Sequence, residues 1–73
     1  MILTFINNHK LFIQFDRIVK KGSIFITDEK QYSFSKEISD SEFEVIDLSE
    51  DLLKLKIRIS IGNKQIIRTI KIG

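Results

Sequence analysis

Cysteine, proline, alanine and tryptophan are all absent from this sequence of 73 residues, and histidine occurs only once. Without cysteine no disulfide can form, and one histidine cannot supply a metal site, so the usual supports of a small domain are missing. A domain of this size buries only about 60% of the surface that its unfolded chain exposes. We therefore expect its stability to depend on a tightly packed core or on contact with other subunits.

Signatures of catalysis and of cofactor binding are missing as well. His9 lies in "NNHK", a turn-forming sequence, and has no recognisable nucleophile or orienting group as a partner. Asp47, Glu50 and Asp51 lack the spacing and the glycine of a calcium-binding loop. A glycine-rich phosphate loop is also lacking. We therefore predict that the protein is not an enzyme and has no cofactor and no metal site.

The charge and the apolar runs limit the location and the partners of the chain. A net charge of +2 is too small to indicate nucleic acid as a partner. No segment approaches the roughly eighteen apolar residues that a membrane-spanning helix needs. The start, "MILTFINNHK", has neither the basic region nor the cleavage site of a signal peptide. We predict a protein of the cytoplasm or of a virion, with no membrane segment.

Isoleucine, leucine, phenylalanine and valine make up most of the 42% apolar content, and this mixture favours β-sheet. Apolar and polar residues alternate in short runs that turn-forming residues separate. Residues 49–52 are also compatible with a single helical turn. The predicted strands are 2–6, 11–19, 23–27, 32–38, 43–48, 53–61 and 64–72. We predict one all-β domain over residues 1–73, either a small antiparallel β-sandwich or a partly open barrel of six to seven short strands.

The last two strands form a hairpin whose register can be derived from the sequence. Gly62-Asn63 is a favoured two-residue turn, and pairing around it brings the apolar residues of both strands onto one face. The residues predicted to be buried are Leu55, Ile57, Ile59 and Ile70. Arg68 falls opposite Ile57 on that apolar face. We predict a bulge near 67–69 that turns Arg68 outward, the alternative being an acidic partner at the edge of the core.

Two sets of residues are predicted to contact other proteins. In the first strand both alternating sets are apolar, namely Ile2 and Ile6 on one side and Leu3 and Phe5 on the other. A terminal strand with one side in water would not need this, so we expect a partner or another copy to cover its second side. The second set is the polar side of the hairpin, which carries Lys54, Lys56, Arg58 and Lys71. This side is predicted to be solvated or to dock on acidic protein.

From Ile46 onward, "IDLSEDLLKLKIRISIGNKQIIRTIKI" resembles the last strands of small immunoglobulin-like β-sandwich modules. In such modules an "I-D-L-S" step leads into a long strand, a Gly/Asn turn and a final isoleucine-rich strand. The resemblance implies a fold and leaves the function open.

The leading functional hypothesis is a non-catalytic structural or interaction module that docks on or assembles into a larger complex. A phage virion accessory or capsid-decorating protein is one concrete form. The alternative is a small nucleic-acid-binding β-barrel, for which Phe12 and Phe25 are the aromatic residues expected to be exposed. They are distant in sequence from the basic run at 54–71, which favours the protein-interaction hypothesis.

Overall fold

The computed structural model describes residues 2–28, 32–48 and 52–72. Within these residues the regular structure is a five-stranded antiparallel sheet, which confirms the all-β prediction. The strands are β1 (Leu3–Asn7), β2 (Lys10–Thr27), β3 (Ser33–Asp47), β4 (Lys54–Ile61) and β5 (Lys64–Lys71).

Five strands take the place of the predicted six to seven because two expected breaks lie inside continuous long strands. The predicted strands 11–19 and 23–27 join into β2, and 32–38 and 43–48 join into β3. Gly22 falls between the predicted strands 11–19 and 23–27 and lies inside β2 in the structure. A Cβ atom on Gly22 would come within 2.7 Å of the Ser60 carbonyl oxygen, so the glycine allows β2 to approach β4 closely. In β3 the bend includes Asp40, whose φ is 48°.

The long strand β2 is the centre of the sheet. Its first half pairs with β1, its second half pairs with β4, and β3 pairs with both halves on the opposite side. The register between β2 and β3 shifts between Gln14 and Val19, and bulges of this kind bend the bulged strand. With β5 added beside β4, the sheet curls into a half-barrel.

The core fills the inside of this curl. Alternate residues of β2, β3 and β4 point inward and are almost fully shielded from solvent, as the period of two along a strand requires. The completely or almost completely buried side chains are Leu11, Ile13, Ile24, Ile26, Ile38, Leu55, Ile57 and Ile59. Aliphatic residues of β5 pack against this cluster and stay partly accessible.

The closing hairpin has the predicted register. Ile61 pairs with Lys64, Ile59 with Ile66, and Leu55 with Ile70, and Gly62 has a positive φ of 58°. The predicted bulge near 67–69 is wrong, because Arg68 pairs with Ile57 in an unbroken ladder. The Arg68 residue is nevertheless exposed to solvent, as the prediction required. Within residues 2–28, 32–48 and 52–72 no acid pairs with its guanidinium, which donates a hydrogen bond to the Ile2 carbonyl oxygen at 3.4 Å.

At the start of the hairpin the apolar alternation breaks down. Leu53 precedes β4 and is 63% exposed, although it shares its parity with the buried residues of that strand. The helical turn considered at 49–52 lies largely outside the described residues, and Leu52 is a buried residue without regular structure.

Candidate functional site

Five apolar side chains form one continuous patch on the outer surface of the first half of the sheet. The cross-strand pairs that carry it are Phe5 with Phe12 and Phe12 with Val45, and Gln14 links Leu3 to Phe43 in the same way. Directly paired residues of neighbouring strands point to the same side of a sheet. We call this patch the aromatic face, and its members are Leu3, Phe5, Phe12, Phe43 and Val45.

The rings of the aromatic face contact one another across three strands. Phe5 and Phe12 are stacked with their centroids 4.9 Å apart and an interplanar angle of 9°. Phe12 and Phe43 lie 5.9 Å apart at 34°. Despite these contacts, Leu3 is 55%, Phe5 50% and Phe43 43% exposed. A contiguous apolar patch that remains this accessible is typical of a surface that another molecule covers.

Gln14 holds the aromatic face together at the point where the backbone ladder is interrupted. Its side-chain amide donates hydrogen bonds to the carbonyl oxygens of Phe15, at 3.1 Å, and Glu42, at 3.0 Å. These bonds link β2 to β3 beside the register shift, where regular strand pairing is lost. Phe43 therefore keeps a defined position next to Phe12.

One ion pair borders the aromatic face. The Lys10 ammonium lies 3.8 Å from a carboxylate oxygen of Asp47, and the two residues are directly paired across β2 and β3. Because the two charges balance, this border contributes no net charge. The aromatic face is therefore apolar in its centre and electrically balanced where Lys10 and Asp47 meet.

The structure separates the two sets of apolar residues that the sequence placed in the first strand. Leu3 and Phe5 belong to the aromatic face, whereas Ile2 is a core residue and Ile6 packs partly buried against the core. The sequence did not indicate which set would face outward. It also missed Phe43 and Val45, because the run "FEVIDL" alternates without showing which parity is buried.

The predicted basic residues lie on the outer surface of the second half of the sheet. Lys54 pairs with Lys71, Lys56 with Thr69, and Arg58 with Ile67. We call the outward side chains Lys54, Lys56, Arg58 and Lys71 the basic face. Phe25 pairs with Arg58 across β2 and β4, and the guanidinium carbon lies 5.3 Å from the centre of the phenyl ring. The pairing of β2 with β4 thus places an aromatic residue within the basic face. This proximity could not be predicted, because Phe25 and Arg58 are far apart in the sequence.

A charged pair lies on the inner side of the sheet. Glu44 pairs with the buried Ile13 and is only 9% exposed, and its carboxylate lies 2.8 Å from the ammonium of Lys36. Burial raises the pKa of Glu44, but hydrogen bonds from Lys36 and Ser41 outweigh it, so that the pKa lies below the ordinary value. The alternating run "FEVIDL" does not indicate that Glu44 is buried.

No protein-family model, curated protein sequence or solved structure matches this chain. Over the described ranges, histidine and acidic side chains form no group of three that could hold a metal ion. The same ranges contain no helix that is long and apolar enough to cross a membrane.

Proposed function

We propose that this protein is a non-catalytic interaction module that assembles through its aromatic face. The observation that carries the proposal is a row of three rings in which Phe12 contacts both Phe5 and Phe43, while Phe5 and Phe43 stay exposed to solvent. Burial of aromatic side chains dominates the energetics of many protein interfaces. On a chain that already has a complete aliphatic core, this second apolar surface has no evident role in the isolated subunit.

The occupant that fits the aromatic face best is a second copy of the same chain. A sheet that is apolar on both faces needs a layer on each side, and two such sheets pack face to face about 10 Å apart. Two identical faces can meet without net electrostatic repulsion when the charges at their border cancel. At the border of the aromatic face the charges of Lys10 and Asp47 cancel in this way. The basic face would repel its own copy, which makes it a poor surface for self-association.

Pairing of two aromatic faces would also create a two-layer sandwich between subunits. This is how we reconcile a half-barrel subunit with the resemblance to immunoglobulin-like sandwich modules. A subunit of this kind suits repeated use in a larger complex, and a virion accessory or capsid-decorating protein remains one form of the proposal. Face-to-face pairing would add buried apolar area to a domain whose size leaves it little stability to spare.

The test compares two double variants within residues 2–6. Leu3→Ser with Phe5→Ser removes the outward side chains, and Ile2→Ser with Ile6→Ser removes the inward ones. Sedimentation equilibrium should give a dimer for the wild type and a folded monomer for the first variant. The second variant should lose much of its resistance to urea, because core aliphatic groups are replaced by hydroxyls.

A third variant, Phe43→Ser with Val45→Ser, alters the same face from a different strand and should also yield a folded monomer. Agreement between the β1 and β3 variants would assign the association to the aromatic face and not to the edge of β1. A wild type that stays monomeric throughout the micromolar range, or a dimer that survives both outward variants, would overturn the proposal.

The second candidate function is binding of single-stranded nucleic acid by the basic face. It is favoured by the position of Phe25 beside Arg58, since single-strand binders combine cations with exposed aromatic rings. Two observations place it second. The Arg58 guanidinium already lies over the Phe25 ring, and the net charge of the chain is only +2.

A further inference from the structure

A cleft opens on the side of the half-barrel where the sheet is incomplete. β1 and β4 lie on the same side of β2, but β1 pairs only with residues 10–14 and β4 only with residues 23–27. The bent middle of β2 between them therefore forms the floor of a gap. The cleft has a volume of about 550 Å³, which is within the range of small-molecule sites.

The interior of this cleft is apolar. Phe15 and Val19 come from the bend of β2, and Ile2 precedes β1 on one wall. Ile61 and Ile66, on either side of the β4–β5 turn, form the other wall. Phe15, Val19 and Ile2 are core residues, so the cleft leads directly onto the hydrophobic core. An aliphatic chain entering here would displace water from apolar side chains, which is favourable.

Arg68 places a positive charge at the solvent-exposed mouth of this apolar cleft. It occupies an inward position on β5, between Ile66 and Ile70, which pack against the core. Among the described residues its hydrogen bond goes to the Ile2 carbonyl oxygen, at a long 3.4 Å. A guanidinium has five N–H donors and binds carboxylates in a bidentate manner. Arg68 is exposed, lines the cleft and makes one long hydrogen bond among the described residues, so its other donors can reach an anion in the cleft.

The remaining charged residues of the cleft reinforce this preference. Arg17 and Lys64 also line the cleft. Among the described residues that line it, Asp16 is the one acidic residue. The Asp16 carboxylate lies 3.3 Å from Arg17, so one cation is balanced within the protein. Three basic residues against one acid leave an excess of positive charge beside an apolar floor. A ligand that matches both features has an aliphatic tail and a single negative head group.

We infer that this cleft binds a free aliphatic carboxylate of the fatty-acid type. The carboxylate lies against Arg68 with Lys64 beside it, and the tail extends over Phe15 and Val19. This site lies apart from the aromatic face and does not depend on the proposed self-association. It also explains why an arginine occupies a position whose neighbours along the inner side of β5 are isoleucines.

The experiment is a titration of the full chain with decanoate below its micelle-forming concentration, followed by backbone amide NMR shifts. We expect saturable shifts at Val19, Lys64 and Arg68. Two further arms separate the two parts of the ligand: decanol supplies the tail without the charge, and acetate supplies the charge without the tail. Decanol should bind more weakly than decanoate, and acetate should cause no saturable shift.

The decisive variant is Arg68→Gln, which removes the positive charge and keeps a polar side chain. The affinity for decanoate should fall about tenfold or more, because a charge-assisted hydrogen bond is lost. Arg68→Lys should restore part of that affinity. Arg58→Gln, a matched change on the outer side of the same hairpin, should leave it unchanged.

Three results would overturn the inference: no saturable shift up to millimolar decanoate, equal affinity in the wild type and Arg68→Gln, or shifts confined to the aromatic face. Measuring decanoate binding again in the Leu3→Ser, Phe5→Ser variant keeps the two proposals separate. Binding that persists in this variant supports the cleft whatever the oligomeric state of the wild type.

Discussion

The two outer surfaces of this sheet meet on one strand, β2, and differ completely in chemistry. The first half of β2 presents Phe12 to the outside, between Phe5 and Val45 of its neighbours. The second half presents Phe25, whose neighbour on β4 is Arg58. The bend of β2 separates the two surfaces, so that one strand contributes to an apolar region and to a basic one.

The inner side shows no such division. From Leu11 to Ile26 the inward residues of β2 are apolar in both halves, and they contact a single core. Only the outward parity changes its character along the strand. The core takes up only the inward-facing residues of a strand. Packing in the core therefore does not restrict which residues face outward. Packing of the core therefore does not account for the difference between the aromatic and basic faces.

The largest expected effect comes from weakening the core that both faces share. Ile57 is fully buried in β4, and Ile57→Ala should lower the free energy of unfolding by about 2–5 kcal/mol. The matched control is Ile67→Ala on β5, where the side chain is 55% exposed, and its effect should stay within about 0.5 kcal/mol. Urea unfolding of both variants measures the difference. Equal losses would mean that the outer side of the hairpin is also buried.

A smaller effect on stability is expected from the ion pair between Lys36 and Glu44, which lies on the inner side of the sheet. Lys36→Met removes the partner of Glu44, and because Lys36 is 40% exposed, solvent screening limits the cost to about 1 kcal/mol. Lys10→Met is the control, since Asp47 is 85% exposed and that pair should contribute little. A cost as large for Lys10→Met as for Lys36→Met would contradict this assignment.

The ion pair also predicts a dependence on pH. The pKa of Glu44 is lower in the folded chain than its ordinary value of 4.5. Its contribution to stability is therefore present above that value and is lost as the pH falls through the folded pKa. In Lys36→Met the burial of Glu44 acts with less opposition, so the loss of stability on acidification should be smaller than in the wild type. Urea unfolding at pH 7 and at pH values below 4.5 compares the two slopes.

The sequence predicted those parts of the fold that depend on local pattern. The closing hairpin follows from a two-residue turn and a strict alternation, which together fix the register. The continuity of β2 through Gly22 could not be predicted, because "KKG" has the composition of a turn and a close approach to Ser60 is a tertiary contact. The place of Arg68 in the ladder could not be predicted for a related reason, since the cleft that it lines is formed largely by residues far away in sequence.

The candidate surfaces were predictable only in part. Leu3 and Phe5 were recognised as members of a two-sided apolar strand, and the basic residues of the hairpin were recognised from their parity. Phe43 was missed because Glu44, on the opposite parity, is buried through an ion pair that the sequence does not reveal. The contact between Phe25 and Arg58 requires the pairing of β2 with β4, which joins residues 33 positions apart.

The smallest effect is expected on the basic face, where Lys56→Glu combined with Lys71→Glu should change the free energy of unfolding by no more than about 0.5 kcal/mol. Both side chains are exposed, and removing Lys71 also relieves its repulsion with Lys54 across the ladder.

We also expect no micromolar binding of single- or double-stranded oligonucleotides at physiological salt, as measured by fluorescence anisotropy. If the face did contact phosphates, the logarithm of the affinity would fall by about 0.7–0.9 per neutralised phosphate for each tenfold rise in salt. A steep salt dependence that disappears in this variant and persists in Lys10→Glu, a charge change beside the aromatic face, would make nucleic-acid binding the leading function.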